Sequence, residues 1–131
     1  VWALLHAGAA RVSVWNRTPD RARALAGELG ATVAERPAGA DLLVNCTAVG
    51  LDGNDPFDRL PLTAGALTEY GCVVDFVYTD SGTVLTREAA RRGVPIVEGM
   101  TLLVGQGALS FQAFTGRPAS TAAMRAAVAA H

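Results

Sequence analysis

"ADLLVNCTAVG", residues 40–50, sets a continuous apolar run against a tail of small polar residues. A parallel strand buried on both faces reads this way, because helices cover both sides of its sheet and the polar groups begin where the chain leaves it. "GCVVDFVY", residues 71–78, is a second buried strand of the same kind. The residues between them include "LDGNDPFDRLP", 51–61, whose Asp, Gly, Asn and Pro mark a surface loop.

Reading outward, helix and strand patterns alternate. Residues 1–7, "VWALLHA", are helix-like but carry neither an N-cap nor an initiator methionine, so a segment is expected upstream. "ARVSVW", 10–15, alternates like a short strand. Thr18 is placed to cap the next helix, with Pro19 at its first position, Ala22, Leu25, Ala26 and Leu29 on its buried face, and Gly30 closing it. "ATVAE" is a strand, "TREAARRG" a helix, and residues 95–98 a short strand. An apolar helix over 100–115 and a final helix over 118–130 follow. Strands and helices alternating at this spacing predict an α/β, doubly wound, mostly parallel sheet filling residues 1–131 as one domain.

Composition narrows the function. The 131 residues are 50% hydrophobic, enough for a core, and the formal net charge of -1 gives no global attraction to nucleic acid or to anionic membrane. All eleven basic residues are arginine, which excludes lysine acid/base or Schiff-base chemistry from this chain. Cys46 and Cys72 show no CxxC spacing and no nearby histidine cluster, so no metal site is expected and both are read as reduced cysteines of a cytoplasmic protein. No apolar run approaches the roughly 18 residues of a membrane span. His6 and His131 lie at opposite ends of the sequence, and the spacing of Asp41 and Asp75 indicates no carboxylate pair, so no catalytic residue is assigned.

Ligands of a doubly wound sheet collect beyond the carboxyl ends of its strands. The strand ending at Trp15 leads into Asn16, Arg17 and Thr18, with Arg21 one turn on. An acidic residue here would favour the free ribose of NAD, whereas guanidinium groups suit the 2'-phosphate of NADP. The same residues also fit solvated arginines on a capped surface helix, and both readings stand at this point. Phe76 and Tyr78 form an apolar shelf with a phenol, although a buried tyrosine with a satisfied hydroxyl would read alike. Gln106, read as facing inward from an apolar helix, calls for a polar partner such as a hydroxylated ligand.

The ordered blocks "NRTPDRA", "DLLVNCTAVG", "VVDFVY" and "EGMTLLVGQGALSFQAFTG" together resemble the cofactor-binding half of shikimate dehydrogenases. The resemblance runs over nearly the whole chain. It implies a Rossmann-like NADP-binding domain in which Asn16, Arg17, Thr18 and Arg21 hold the adenosine 2'-phosphate. Thr47 then lines the cofactor groove, Phe76 packs by the nicotinamide, and Gly99 touches the nicotinamide end. Tyr78 and Gln106 face the substrate, shikimate or 3-dehydroshikimate. Met100, Thr101, Leu102 and Leu103 stand where the family usually has Leu-Gly-Met-Leu, and Gly105 and Gly107 flank Gln106 where alanine or bulkier residues are common.

The resemblance also implies that the family's first strand, its glycine-rich phosphate turn and its substrate domain with a lysine–aspartate pair lie upstream of Val1. A fragment of that kind would be inactive alone. Its expected partners are the small-molecule substrate, the missing N-terminal domain of the same enzyme and, in a homodimer, a second copy. Two alternatives stand beside this reading: a quinate/shikimate dehydrogenase using NAD, and a non-catalytic nucleotide-binding module on the same sheet.

Overall fold

The computed structural model describes residues 1–79 and 81–129. The chain divides into two compact units, Val1–Ala38 and Gly39–His131.

The first unit comprises α1 (Trp2–His6), β1 (Ser13–Val14), α2 (Pro19–Leu29) and β2 (Thr32–Val33). β1 and β2 pair in parallel with Ser13 opposite Thr32 and Val14 opposite Val33, and the Ser13 and Thr32 hydroxyls bond across the ladder at 2.9 Å. Pro19 opens α2, where a missing N–H costs nothing, and Gly30 closes it in the left-handed conformation at φ 72°. Only Ala22 and Ala26, one turn apart, are fully buried on this helix, which packs on both strands. Leu25, expected on the buried face, is 39% exposed, because two strands of two residues each offer a cover only one stripe wide.

In the second unit β3 (Leu43–Asn45), β4 (Val73–Asp75) and β5 (Ile96–Val97) form a parallel sheet in that order. The strands thus form two separate parallel sheets, one in each unit, β1 with β2 and β3 with β4 and β5. β4 is central and buries Val73 and Asp75 completely. β3, expected to be buried on both faces, leaves Leu43 and Val44 half-buried because it is an edge strand of this sheet.

The core gathers Leu62, Leu67, Tyr70, Val73, Leu85, Ala89 and Val94. Leu67 comes from a 3-10 helix, Gly65–Glu69, and a second one covers Pro56–Asp58 inside the predicted loop. The Pro56–Asp58 turn lies within the segment that the sequence marks as a loop, whereas Gly65–Glu69 lies beyond it. α3 (Val84–Arg91) starts two residues before the predicted helix, because Thr83 and Thr86 close a reciprocal capping box in which each hydroxyl accepts from the other's backbone N–H. Leu85, Thr86 and Ala89 face the core, and α3 packs on β4 and β5. α4 (Gly99–Thr115) and α5 (Thr121–Ala129) pack on each other. Ala130 and His131 fall outside the described residues.

On the outer face of α3, Glu88 accepts from Arg91 at 2.7 Å and pairs with Arg92. Its hydrogen bond with Arg92, helped by both positive charges, holds the carboxyl below the usual glutamate range. A carboxyl lowered in this way stabilises the fold above its unfolded pKa, and the contribution disappears as the pH falls through the folded value. Glu88→Gln should therefore lower the melting temperature slightly at neutral pH, with the deficit shrinking on acidification through the glutamate range and below. A deficit independent of pH in thermal scans would assign it to packing instead.

Candidate functional site

At the carboxyl end of β1, the Asn16 side-chain oxygen accepts from the Thr18 N–H at 2.8 Å, forming a tight local turn into α2. This corrects part of the sequence reading. Thr18 occupies the cap position, but its hydroxyl makes no capping bond, and its N–H is already taken by Asn16. The hydroxyl is what it has left to offer a ligand. Asp20, the one carboxylate in the first turn, pairs with Arg23. Arg17 and Arg21 are exposed and, among the described residues, enter no ion pair. The turn thus presents two uncommitted guanidinium groups and a free hydroxyl.

At the carboxyl ends of β3 and β4, register decides what meets. Asn45 pairs with Asp75 across the parallel ladder, so their side chains lie on one face and bond at 2.9 Å. Asn45 is 6% exposed and uses both ends of its amide. Its oxygen accepts from the Thr47 N–H at 3.1 Å and the Thr47 hydroxyl at 2.7 Å. Its nitrogen donates to Asp75 and to the Val49 carbonyl at 3.2 Å. The Thr47 hydroxyl in turn accepts from the Val49 N–H at 3.1 Å. Its single proton is spent on Asn45, so towards a cofactor Thr47 can offer only an acceptor lone pair, its methyl group or its backbone.

Beyond β4 burial alternates. Val73, Asp75 and Val77 are buried, whereas Phe76 and Tyr78 are 54% and 52% exposed. The two aromatic rings therefore share the open face, and a buried tyrosine is ruled out for Tyr78. Gly99 meets this segment at the start of α4. A Cβ built on it would lie 2.5 Å from the Val77 carbonyl oxygen and 2.9 Å from that of Phe76, so only glycine lets the helix come this close.

Gln106 does not face inward. It is exposed, two residues beyond the buried Val104 and hence on the opposite side of α4, and its amide donates to the Leu103 carbonyl at 3.0 Å. Nothing in the helix interior demands a partner for it. Cys46 and Cys72 are free thiols, and desolvation raises the pKa of Cys46, which keeps it a poor nucleophile.

A cavity of about 340 Å³ opens between the 50–53 loop and the start of α3, with Thr79, Gly82, Thr83 and Arg87 in its wall. None of the residues expected from the sequence lines it. The polar groups missed by sequence reading are Asn45, Asp75 and Thr83. The available signal was an Asn and an Asp at matching positions of two strand ends, which becomes informative only once the register is known.

The tight approach at Gly99 makes a prediction. Gly99→Ala should destabilise the protein by about 1–3 kcal/mol through overpacking. Gly105→Ala, in the same helix with open space where its Cβ would stand, should stabilise it by up to ~1 kcal/mol. Chemical denaturation of both variants checks the pair, and equal effects would contradict the close approach.

Among known proteins, the family of the shikimate 5'-dehydrogenase C-terminal domain matches residues 99–129. An NADP(+)-dependent shikimate dehydrogenase of Thermus thermophilus is 49% identical over 117 residues, covering 88% of this chain and 43% of the relative. The solved shikimate 5-dehydrogenase from another strain of Thermus thermophilus, in complex with NADP(H) and shikimate, superposes with a TM-score of 0.80 at 41% identity, over 95% of this chain and 47% of that one. The ligand-free 5-ketofructose reductase of a Gluconobacter species superposes at 0.79 with 30% identity, over 94% of this chain and 48% of that one. These likenesses give the α/β architecture as Rossmann-like, and the chain spans about half the length of the curated relatives it matches. Along nearly its whole length the chain is similar to shikimate dehydrogenases, and its residues 99–129 match the family of their C-terminal domain.

Proposed function

We propose that this chain is the cofactor platform of an NADP-dependent shikimate dehydrogenase, in which hydride passes between NADPH and the keto carbon of 3-dehydroshikimate in a cytoplasmic route to aromatic compounds. The observation that carries the reading is the pair of exposed guanidinium groups of Arg17 and Arg21 at a strand's carboxyl end, which enter no ion pair among the described residues, with the neighbouring carboxylate of Asp20 turned to Arg23. Such a turn suits a dianionic 2'-phosphate and repels nothing on it. Asn16 shapes the turn, and Thr18 supplies a hydroxyl donor. At the other end of the cofactor, the exposed faces of Phe76 and Tyr78, the Thr47 turn and the glycine at 99 are the groups that would meet the nicotinamide and the substrate, with Gln106 reaching the substrate hydroxyls from α4. NADP supplies the hydride acceptor and donor; these residues bind and orient it. The proton-transfer groups come from a substrate domain outside these residues.

The support for that partner is α4. It carries no charged residue along its 17 positions, buries only Gly99 and Val104, and leaves Leu109, Phe111 and Phe114 exposed, the last at 88%. An uncharged helix that exposes this many apolar side chains is one that another body covers. We assign that cover to the substrate domain, of the length by which the relatives exceed this chain, rather than to a second copy.

Two tests address these assignments in the intact enzyme. Arg17→Ala should weaken NADP binding by about 10- to 100-fold, the scale of one lost charge-assisted phosphate contact, while leaving NAD binding unchanged. Equal affinities for NAD and NADP in the unmutated enzyme would favour the NAD-dependent quinate/shikimate alternative. Turnover of 5-ketofructose but not shikimate would move the substrate, and no turnover of either would favour the non-catalytic module. Separately, Phe114→Glu should make the 131-residue chain more soluble but lower the melting temperature of the intact enzyme. Gains in both would mean that no domain covers the helix.

A further inference from the structure

Asp75 is completely buried, yet among the described residues it pairs with no cation. It accepts from the Asn45 amide at 2.9 Å, the Val77 N–H at 3.0 Å and the Thr83 hydroxyl at 2.6 Å, all three of them neutral donors. The ion pairs among the described residues involve other acids, Asp20, Asp52 and Glu88, none of them buried in this way. Withdrawing a carboxyl group from water without a counter-charge is costly, and an apolar residue would fill the same space more cheaply. What the apolar residue could not do is hold three separate segments at once.

Each bond of Asp75 leads somewhere. The bond from Asn45 continues through that side chain's oxygen to the N–H and hydroxyl of Thr47, and from Thr47 to Val49. The bond from Val77 fixes the extended segment from which Phe76 and Tyr78 project. The bond from Thr83 fixes the start of α3. No atom of Asp75 reaches the surface, so it acts on a ligand only through these neighbours.

The geometry points to Asp75 as a positioning residue for the nicotinamide end of the bound cofactor, acting through Asn45 on the Thr47 turn and through Val77 on the Phe76–Tyr78 face. This inference rests on the NADP reading above. Asp75 takes no part in proton transfer; it keeps the groove in the shape the nicotinamide needs. The adenosine 2'-phosphate, held by residues of the other unit, does not depend on it.

That split is measurable in the intact enzyme by titration calorimetry with NADP+ and with adenosine 2',5'-bisphosphate, which carries the 2'-phosphate but no nicotinamide. Asp75→Ala should raise the NADP+ Kd by about tenfold and lower kcat, with the bisphosphate Kd within about twofold of wild type. Asp75→Asn should restore most of the loss, because its oxygen still accepts from Asn45 and Val77. If Asp75→Ala does not fold, Asn45→Ala cuts the same path with Asp75 still held by two donors and should show the same split. Equal weakening of both nucleotides, or a lowered melting temperature with unchanged NADP+ affinity and kcat, overturns the inference and leaves Asp75 a purely structural residue. Wild-type enzyme that binds neither nucleotide overturns the NADP reading itself, and this inference with it.

Discussion

The second unit depends on one buried carboxyl group satisfied by neutral donors alone. Asp75 draws a hydrogen bond from the neighbouring strand, one from the chain that continues its own strand, and one from the cap of the helix that follows. These bonds constrain the pairing strongly. If β3 slipped by one residue against β4, the side chain of Asn45 would turn to the other face and leave Asp75 short of a donor in a dry environment. Apolar packing between Val73 and its neighbours tolerates small shifts, but this arrangement does not. The capping box inherits the same constraint, since Thr83 both bonds Asp75 and closes the first turn of α3.

Much of the architecture was legible because it rests on local chemistry. Pro19 and Gly30 bracket α2 as read, and the apolar runs around Val44 and Val74 are parallel strands. The misreadings share a cause. The burial of Leu25, the two-sided cover of β3 and the inward aim of Gln106 each depend on which neighbour lies across a face, and periodicity reports the face without the neighbour. The box of Thr83 and Thr86 escaped because a second threonine replaces the usual acidic or amide residue at its third position. Asp75 and Asn45, 30 residues apart, become partners only through register.

The candidate site was legible in a similarly uneven way. Arg17 and Arg21 could be singled out because the absence of an acid at a strand end is visible in one dimension, and the structure leaves both exposed. The meaning of Thr47 was not, since its proton goes to Asn45 and so cannot go to a ligand. Gly99 carries two explanations at once: the Val77 carbonyl forbids a side chain there, and the same closeness would bring the start of α4 to the nicotinamide. The steric reason suffices for its being glycine, so a ligand role must be argued from binding rather than from residue type.

The two units use opposite electrostatic strategies, and the proposed ligand explains why. A 2'-phosphate is a compact anion at the end of the cofactor, best met by flexible arginines that remain solvated until it arrives, which costs the free protein little. The nicotinamide alternates between cationic and neutral forms as hydride moves. A fixed charge beside it would favour one direction of the reaction over the other, whereas neutral turns, aromatic faces and a close-packed glycine hold both forms. On this view Asp75 is buried because its hydrogen bonds are what the groove needs: from the interior it shapes the Thr47 turn through Asn45 and the Phe76–Tyr78 segment through Val77 without itself reaching the surface.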